Sequence, residues 1–186
     1  MSEPMLDAVD EIFGNANRLV AAVGEDQWGA DTPCTEWDAR ALVNHMTGTA
    51  HVFGGSATRT PPAAGPDDAD HLGDNPVGSY AAAAQATQEA WRAEGALDGM
   101  TVVPAEMPAV AALGVNILDT GIHSWDLAQA TGQDHGLTPE LIAIIDEWSH
   151  QIISDEVRSG GGFGSVLEPA SDNALTTMLA FVGREG

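Results

Sequence analysis

The sequence predicts an all-α protein, a helical bundle whose helices are joined by long connections. Apolar residues recur at helical spacing in several segments. Glycine, proline and capping residues separate these segments, and neither a convincing strand pair nor an internal repeat is evident. Four substantial helices and two others account for the pattern, which favours a bundle with crossover connections.

The first two helices are predicted from periodicity and from their end signals. Residues 3–24 carry apolar side chains at helical spacing and form the first helix. The second is expected to begin near Glu36, because Thr35 and Asp38 have the spacing of a capping box, with Asp in place of Glu. It is expected to end at Gly54-Gly55, since glycine commonly follows the last turn of a helix.

The connection after the second helix is predicted to be a long crossover. Residues 56–78 are rich in Pro, Gly and Asp and show little periodicity. Periodicity and capping residues then predict four more helices, at residues 79–95, at residues 109–131 with Gly132 closing the helix, from Thr138-Pro139 onward, and after a cap at Ser171.

The composition indicates one folded domain with an acidic surface. Of the 186 residues, 44% are hydrophobic, and the net charge is -22, with arginine as the only strongly basic residue type. Such a field repels phosphate backbones and anionic membranes, so we expect neither nucleic-acid binding nor membrane association. The acidic N-terminus is unlike a signal peptide, and no apolar run is long enough to span a bilayer. We therefore expect a cytoplasmic protein, with residues 1–186 forming a single domain.

A pair of polar residues on the fourth predicted helix has the spacing of metal ligands. Asp119 and His123 lie four residues apart and therefore share one face of the helix, one turn from each other. Two ligands at this spacing can bind one cation without bending the backbone. Spacing alone leaves a second interpretation open, an Asp–His contact within the core.

A third ligand would have to come from another helix. The second helix offers His45, at the edge of its apolar stripe, and His51, turned away by about 120°. His45 is the better candidate to face the core, although a core histidine bonded to a carbonyl group is an alternative. His71, His135 and His150 are interpreted as surface residues.

The single cysteine limits the other chemistries open to this chain. One cysteine excludes an internal disulfide and a cysteine-based zinc cluster, so a metal must be held by histidine and carboxylate. Cys34 precedes a predicted helix, whose positive end would lower a thiol pKa. No specific base is evident beside it, and we interpret it as a structural thiol. The tryptophans, including Trp37 and Trp125, are interpreted as packing anchors.

Two motifs together resemble a known family. The stretches "DTPCTEWDARALVNHMTG" and "LDTGIHSWDLAQATG" are similar to the DinB-like, mycothiol-dependent maleylpyruvate isomerase N-terminal superfamily, in particular to an actinobacterial subgroup. The resemblance extends over nearly the whole chain. It implies an antiparallel four-helix bundle of DinB type with long crossover loops and one or two short extra helices.

The resemblance also implies a divalent metal site within the bundle. One ligand would come from the second helix and two from a later acid-x-x-x-His stretch, which correspond to His45, Asp119 and His123. Asp126 would be either an acceptor that supports a ligand from behind or a helix-packing residue. Nitrogen and oxygen ligands suit Zn²⁺, and Ni²⁺ or Fe²⁺ are compatible with the same set.

The function implied by the resemblance is that of a metal-dependent thiol transferase or isomerase acting on a small molecule, with mycothiol or a related thiol as co-substrate. Established isomerases of the family carry a further C-terminal domain, so we do not expect the maleylpyruvate reaction itself. Two alternatives stay open: a metal-dependent hydrolase or lyase that uses bound water, and a non-enzymatic small-molecule binding module. A homodimer is one arrangement open to such a bundle, and the catalytic and thiol-binding residues are not predicted.

Overall fold

A computed structural model describes residues 2–160 and 163–186. In chain order its elements are α1 (Ser2–Ala21), α2 (Ala39–Thr58), α3 (Pro76–Arg92), β1 (Met100–Thr101), β2 (Met107–Pro108), α4 (Ala109–Thr131), α5 (Pro139–Ile152), α6 (Asp155–Ser159) and α7 (Ala174–Phe181). The chain divides into two compact units, Met1–Gly136 and Leu137–Gly186. A single domain over residues 1–186 stays a prediction. Within the described ranges, no helix combines the length and the apolar character that crossing a membrane requires.

The first unit is a four-helix bundle, which confirms the predicted fold class. Helix α1 packs against α3 and α4, and α2 packs against the same two helices. Near the end of α3, Arg92 contacts Asp7 near the start of α1, so these two neighbours are antiparallel. Near the end of α2, the Ser56 hydroxyl donates to the carbonyl of Val103, which lies ahead of α4, so α2 and α4 are also antiparallel.

The crossover between α2 and α3, residues 59–75, runs back along the length of α2, because the neighbouring helices α2 and α3 are parallel. Its far end reaches the first turns of α2, where the side-chain amide of Asn44 donates to the carbonyl of Ala69. It packs closely on the helix at Gly48, where a Cβ would lie 2.4 Å from the Cα of Pro66. A side chain there would displace the crossover, so glycine is required by close approach.

Helix α2 begins and ends later than the sequence predicts. Its N-cap is Asp38, whose carboxylate accepts from the amide of Ala41, and the Thr35 capping box does not start the helix. Gly54 and Gly55 lie inside the helix, which ends at Thr58. A Cβ on Gly55 would lie 2.6 Å from a crossover carbonyl, so this glycine serves packing and does not terminate the helix.

The other helix boundaries agree with the sequence prediction at some ends and differ from it at others. Helix α4 ends as predicted, with Gly132 in the left-handed region at φ 67°. Helix α3 begins earlier than predicted, at Pro76 after the cap Asn75. A two-residue strand pair, which the sequence does not predict, joins β1 to β2 in antiparallel register just ahead of α4.

The second unit contains α5, α6 and α7. Thr138 caps α5 as predicted, and its hydroxyl accepts from the amide of Leu141. The cap of α7 is Asn173 and not Ser171, and α6 is a short helix that the sequence does not predict. The His150 side chain is 53% exposed, which agrees with its interpretation as a surface residue, and its ring stacks on Phe181 at a centroid distance of 3.8 Å.

Candidate metal centre

Three side chains of the bundle converge between α2 and α4. His45 projects from α2, and Asp119 and His123 project from α4, one turn apart. Asp119 Oδ1 lies 3.7 Å from His45 Nε2 and 3.6 Å from His123 Nε2. The three predicted ligands thus lie together, with one donor atom from each within 4.8 Å of the others. That they bind a metal stays a prediction.

The second nitrogen of each imidazole faces another carboxylate. His45 Nδ1 lies 2.9 Å from Asp67 Oδ1, and His123 Nδ1 lies 3.1 Å from Asp126 Oδ2. When Nδ1 carries the proton and donates it to the carboxylate, the lone pair of Nε2 is directed at Asp119. Carboxylates behind metal-binding histidines fix the tautomer and the ring orientation in this way.

Charge at the site favours a cation between the three side chains. Burial acts to lower the pKa of His45, but Asp119 and Asp67 outweigh burial and raise that pKa to about 9. Burial acts to raise the pKa of Asp119, yet its interactions with His45 and His123 outweigh burial and lower it. The site is therefore suited to positive charge, either a proton or a metal ion.

The residues present fit a divalent metal. Bonds of about 2.0–2.2 Å in a tetrahedral site place neighbouring ligand atoms about 3.3–3.6 Å apart. The separations of 3.6 and 3.7 Å around Asp119 Oδ1 lie at the upper end of this range or slightly above it. The other oxygen, Asp119 Oδ2, is buried and has no hydrogen-bond partner among the described residues. A buried carboxylate oxygen without a donor is costly, and a bound cation would compensate it.

Two further side chains lie against the candidate ligands, and for both the sequence interpretation was incomplete. The Trp37 ring lies 4.4 Å from the His45 ring, centroid to centroid, and so covers one side of the site as well as packing. Cys34 Sγ donates to Asp126 Oδ2 at 3.1 Å and lies 3.9 Å from His123 Nδ1. The expectation that no base lies beside Cys34 was wrong, because a buried carboxylate accepts from its thiol.

Asp67 contacts the candidate ligand His45, and the sequence does not predict this contact. It lies in the crossover, in the acidic stretch "PDDAD", where nothing in the pattern distinguishes one aspartate from the next. The return path of the crossover along α2 brings Asp67 to His45. His51 points away from the site, as predicted, and its ring lies 5.7 Å from that of His71.

Metal affinity should depend on pH above neutrality, because His45 must lose its proton to bind. With its pKa raised to about 9, His45 is protonated at neutral pH, and metal binding displaces about one proton. We expect the logarithm of the apparent Zn²⁺ affinity to rise by about one per pH unit between about pH 7 and 8. Competition with a chromogenic chelator measures this slope.

A histidine with an ordinary pKa would give a different profile over the same range. At a pKa of about 6.5 it is mostly deprotonated above neutrality, so the affinity would be nearly constant. A flat profile, corrected for the protonation of the chelator, would contradict the raised pKa of His45.

Comparison with known proteins places this chain in a family. Residues 9–128 match the family model described as "Mycothiol maleylpyruvate isomerase N-terminal domain". Two uncharacterized proteins of Mycobacterium tuberculosis, MT0763 of strain CDC 1551 / Oshkosh and Rv0738 of strain H37Rv, are each 36% identical over 125 residues. The match covers 66% of this chain and 65% of each relative, slightly less than two thirds of their length.

Solved structures share the fold. A crystal structure of the mycothiol-dependent maleylpyruvate isomerase superposes with a TM-score of 0.64 at 18% identity, and one of its histidine-to-alanine mutant with 0.65 at 17%. Each likeness covers 87% of this chain and 72% of the other. With the family match over residues 9–128, these findings confirm the resemblance, and the chain belongs to the mycothiol maleylpyruvate isomerase N-terminal domain family.

Proposed function

We propose that this chain is a divalent-metal-dependent enzyme that acts on a small molecule with a low-molecular-weight thiol of the mycothiol type, as a transferase or an isomerase. His45, Asp119 and His123 are the proposed ligands, and Zn²⁺ is the proposed metal. The observation that carries the proposal is the convergence of two Nε2 atoms on one carboxylate oxygen, with a carboxylate behind each imidazole.

The three proposed ligands support this function through the charge that they would leave on a bound ion. Two neutral imidazoles and one carboxylate would leave a divalent ion with a net positive charge and with room for a further ligand. Such an ion supplies the positive charge that holds a thiol as its thiolate at neutral pH, which makes it a nucleophile. The chain itself then needs no cysteine as the nucleophile.

The surrounding side chains hold the ligands in place. Asp67 and Asp126 lie against the Nδ1 atoms of His45 and His123, which favours a proton on each Nδ1 and leaves the Nε2 atoms to bind the metal once His45 has lost its second proton. Trp37 covers one side of the His45 ring and limits the approach of water from that side. Ligands with fixed rotamers and tautomers need little reorganisation when they bind.

The use of a thiol is supported by the family and by the names of its members. The family model and the solved relatives both carry mycothiol and isomerase in their descriptions. We transfer to this chain the class of co-substrate and the general class of reaction but not the maleylpyruvate reaction, since fold-level similarity is weak evidence for a specific reaction.

Thiol dependence is the expected outcome of a direct assay. The purified protein, loaded with one equivalent of Zn²⁺, is mixed with a panel of small electrophiles, and each mixture is divided between mycothiol, bacillithiol, glutathione and no thiol. We expect consumption of an electrophile with mycothiol at about tenfold or more above the rate without thiol. Chromatography measures the amount of product formed and the amount of thiol that remains.

Two controls make the assay decisive. The metal-free protein reports any uncatalysed reaction between thiol and electrophile, and His51→Ala serves as a matched histidine variant away from the site. Turnover that is equal with and without thiol would contradict the proposal and favour the hydrolase or lyase alternative. Retention of a ligand without turnover under any condition would favour a binding module.

A further inference from the structure

A cavity adjoins the candidate metal centre within the first unit. Its volume is about 460 Å³, and both His45 and Asp119 line it. Cavities of about 300–1,000 Å³ are typical of small-molecule sites. The crossover forms one wall, and α2 forms another. The cavity is therefore the space from which a small molecule would reach two of the proposed ligands, His45 and Asp119.

The walls away from the ligands are largely apolar. Val52 and Phe53 contribute from α2, Pro61 and Pro62 from the crossover, and Val103 from the segment ahead of α4. Apolar walls favour apolar groups on a ligand, because burying both surfaces together removes them from water. Thr49 adds a hydroxyl, and its proton is directed at the Met46 carbonyl.

No arginine is among the described residues that line this cavity, and the sequence contains no lysine. The four arginines of the first unit are engaged elsewhere. Arg40 contacts Asp70, and Arg92 contacts acidic residues of α1. Arg59 donates to the carbonyl groups of Gly95 and Asp98, and Arg18 donates to Asn15 and to the carbonyl of Asp134. Apart from His45, which is one of the proposed metal ligands, a carboxylate in the cavity would therefore meet no cationic side chain among the described residues.

The cavity is instead surrounded by negative charge. Asp68 and Asp119 line it, and Asp67 and Asp126 contact the two histidines. These four carboxylates outweigh the two positive charges of a divalent ion, so a substrate carboxylate would meet an unfavourable field everywhere except at the one open position on the ion.

We propose that this cavity takes an uncharged, largely apolar electrophile and discriminates against carboxylates. The inference rests on the proposed function for the reaction that follows binding, but binding itself can be tested without any turnover. A neutral substrate loses little hydration on entering apolar walls, whereas a carboxylate that lies away from His45 and the ion loses its hydration and gains no cationic partner.

The test uses two probes with one carbon skeleton. Dimethyl succinate is uncharged and succinate is a dianion at neutral pH, and neither has a carbon–carbon double bond to which a thiol can add. Isothermal titration calorimetry measures the binding of each probe to the metal-free and to the Zn²⁺-loaded protein, at low and at high salt. We expect dimethyl succinate to bind at least about tenfold more tightly than succinate to the metal-free protein, and to keep a smaller preference in the Zn²⁺-loaded protein, where a carboxylate can also bind the ion.

A substitution at Ala64 tests whether a positive charge in the cavity strengthens the binding of a carboxylate. Ala64 lines the cavity from the crossover and is half-buried. Ala64→Arg should strengthen succinate binding by about threefold or more, because it supplies a cation at the rim. Ala64→Gln, which is long and polar but neutral, is the matched control and should leave succinate binding unchanged. Neither variant should change the affinity for dimethyl succinate by more than about twofold.

The outcomes separate this inference from the proposed function. Succinate binding that equals or exceeds that of dimethyl succinate, in either metal state, would overturn the inference. An increase in succinate affinity that Ala64→Gln reproduces would also overturn it, since charge would not be the cause. A preference for the neutral probe together with thiol-independent turnover would leave the inference standing and overturn the proposed function.

Discussion

Replacing His45 with alanine should remove metal from this protein. We expect about one equivalent of a divalent transition metal in the wild-type protein and less than about a tenth of an equivalent in His45→Ala after equilibration with a competing chelator. His45 Nε2 is one of the three donor atoms of this proposed site, and Asp119 and His123 alone leave the ion largely to water. Inductively coupled plasma mass spectrometry on purified protein measures the content.

The size of the effect follows from the strength of a zinc–ligand bond in proteins. Structural sites gain about 10–16 kcal/mol from four ligands, or about 3 kcal/mol from each, so losing one weakens binding about 100-fold or more. His51→Ala is the matched control, because it removes the same side chain from the same helix at an exposed position away from the site. It should retain the wild-type metal content.

The competing interpretation is an Asp–His contact that only stabilises the core. It requires that Asp119→Asn alter the free energy of unfolding while the metal content stays the same. The metal-site proposal requires that this variant lose metal, because an amide oxygen carries no charge to hold a cation. Wild-type protein with less than about a tenth of an equivalent, unchanged in His45→Ala, would contradict the metal site.

The candidate ligands could be predicted from sequence because they lie inside helices. Asp119 and His123 are four residues apart on α4, a helix whose predicted end at Gly132 is confirmed. Helical geometry then places both side chains on one face without further information. The position of His45 depends on which face of α2 is buried, and the apolar stripe of that helix indicates it.

The residues around the ligands could not be predicted, because long-range contacts of irregular segments position them. Thr35 and Asp38 are both residue types that favour the N-cap position, so the sequence offers two starts for α2. The amide of Ala39 bonds to the carbonyl of Ala30, and this contact holds the preceding residues outside the helix. The resulting turn brings Cys34 and Trp37 to the site, and no periodic pattern encodes such a turn.

Replacing Asp126 with asparagine should weaken metal binding although Asp126 is not a proposed ligand. Its side chain is fully buried, and Oδ2 accepts from both His123 Nδ1 and Cys34 Sγ. Asparagine keeps the shape but removes the charge that holds the Nδ1 proton and raises the basicity of Nε2. We expect the Zn²⁺ affinity to fall by about 10- to 100-fold, measured by chelator competition at neutral pH.

Asp67→Asn provides the matched comparison, because the same change is made behind the other histidine. Asp67 lies 2.9 Å from His45 Nδ1, but its side chain is 57% exposed, against 0% for Asp126. Water can replace an exposed acceptor and screens its charge, so this variant should lose less than about threefold in affinity. Equal losses in the two variants would show that burial does not set the strength of these contacts. An unchanged affinity in Asp126→Asn, with the variant still folded by circular dichroism, would assign Asp126 to helix packing alone.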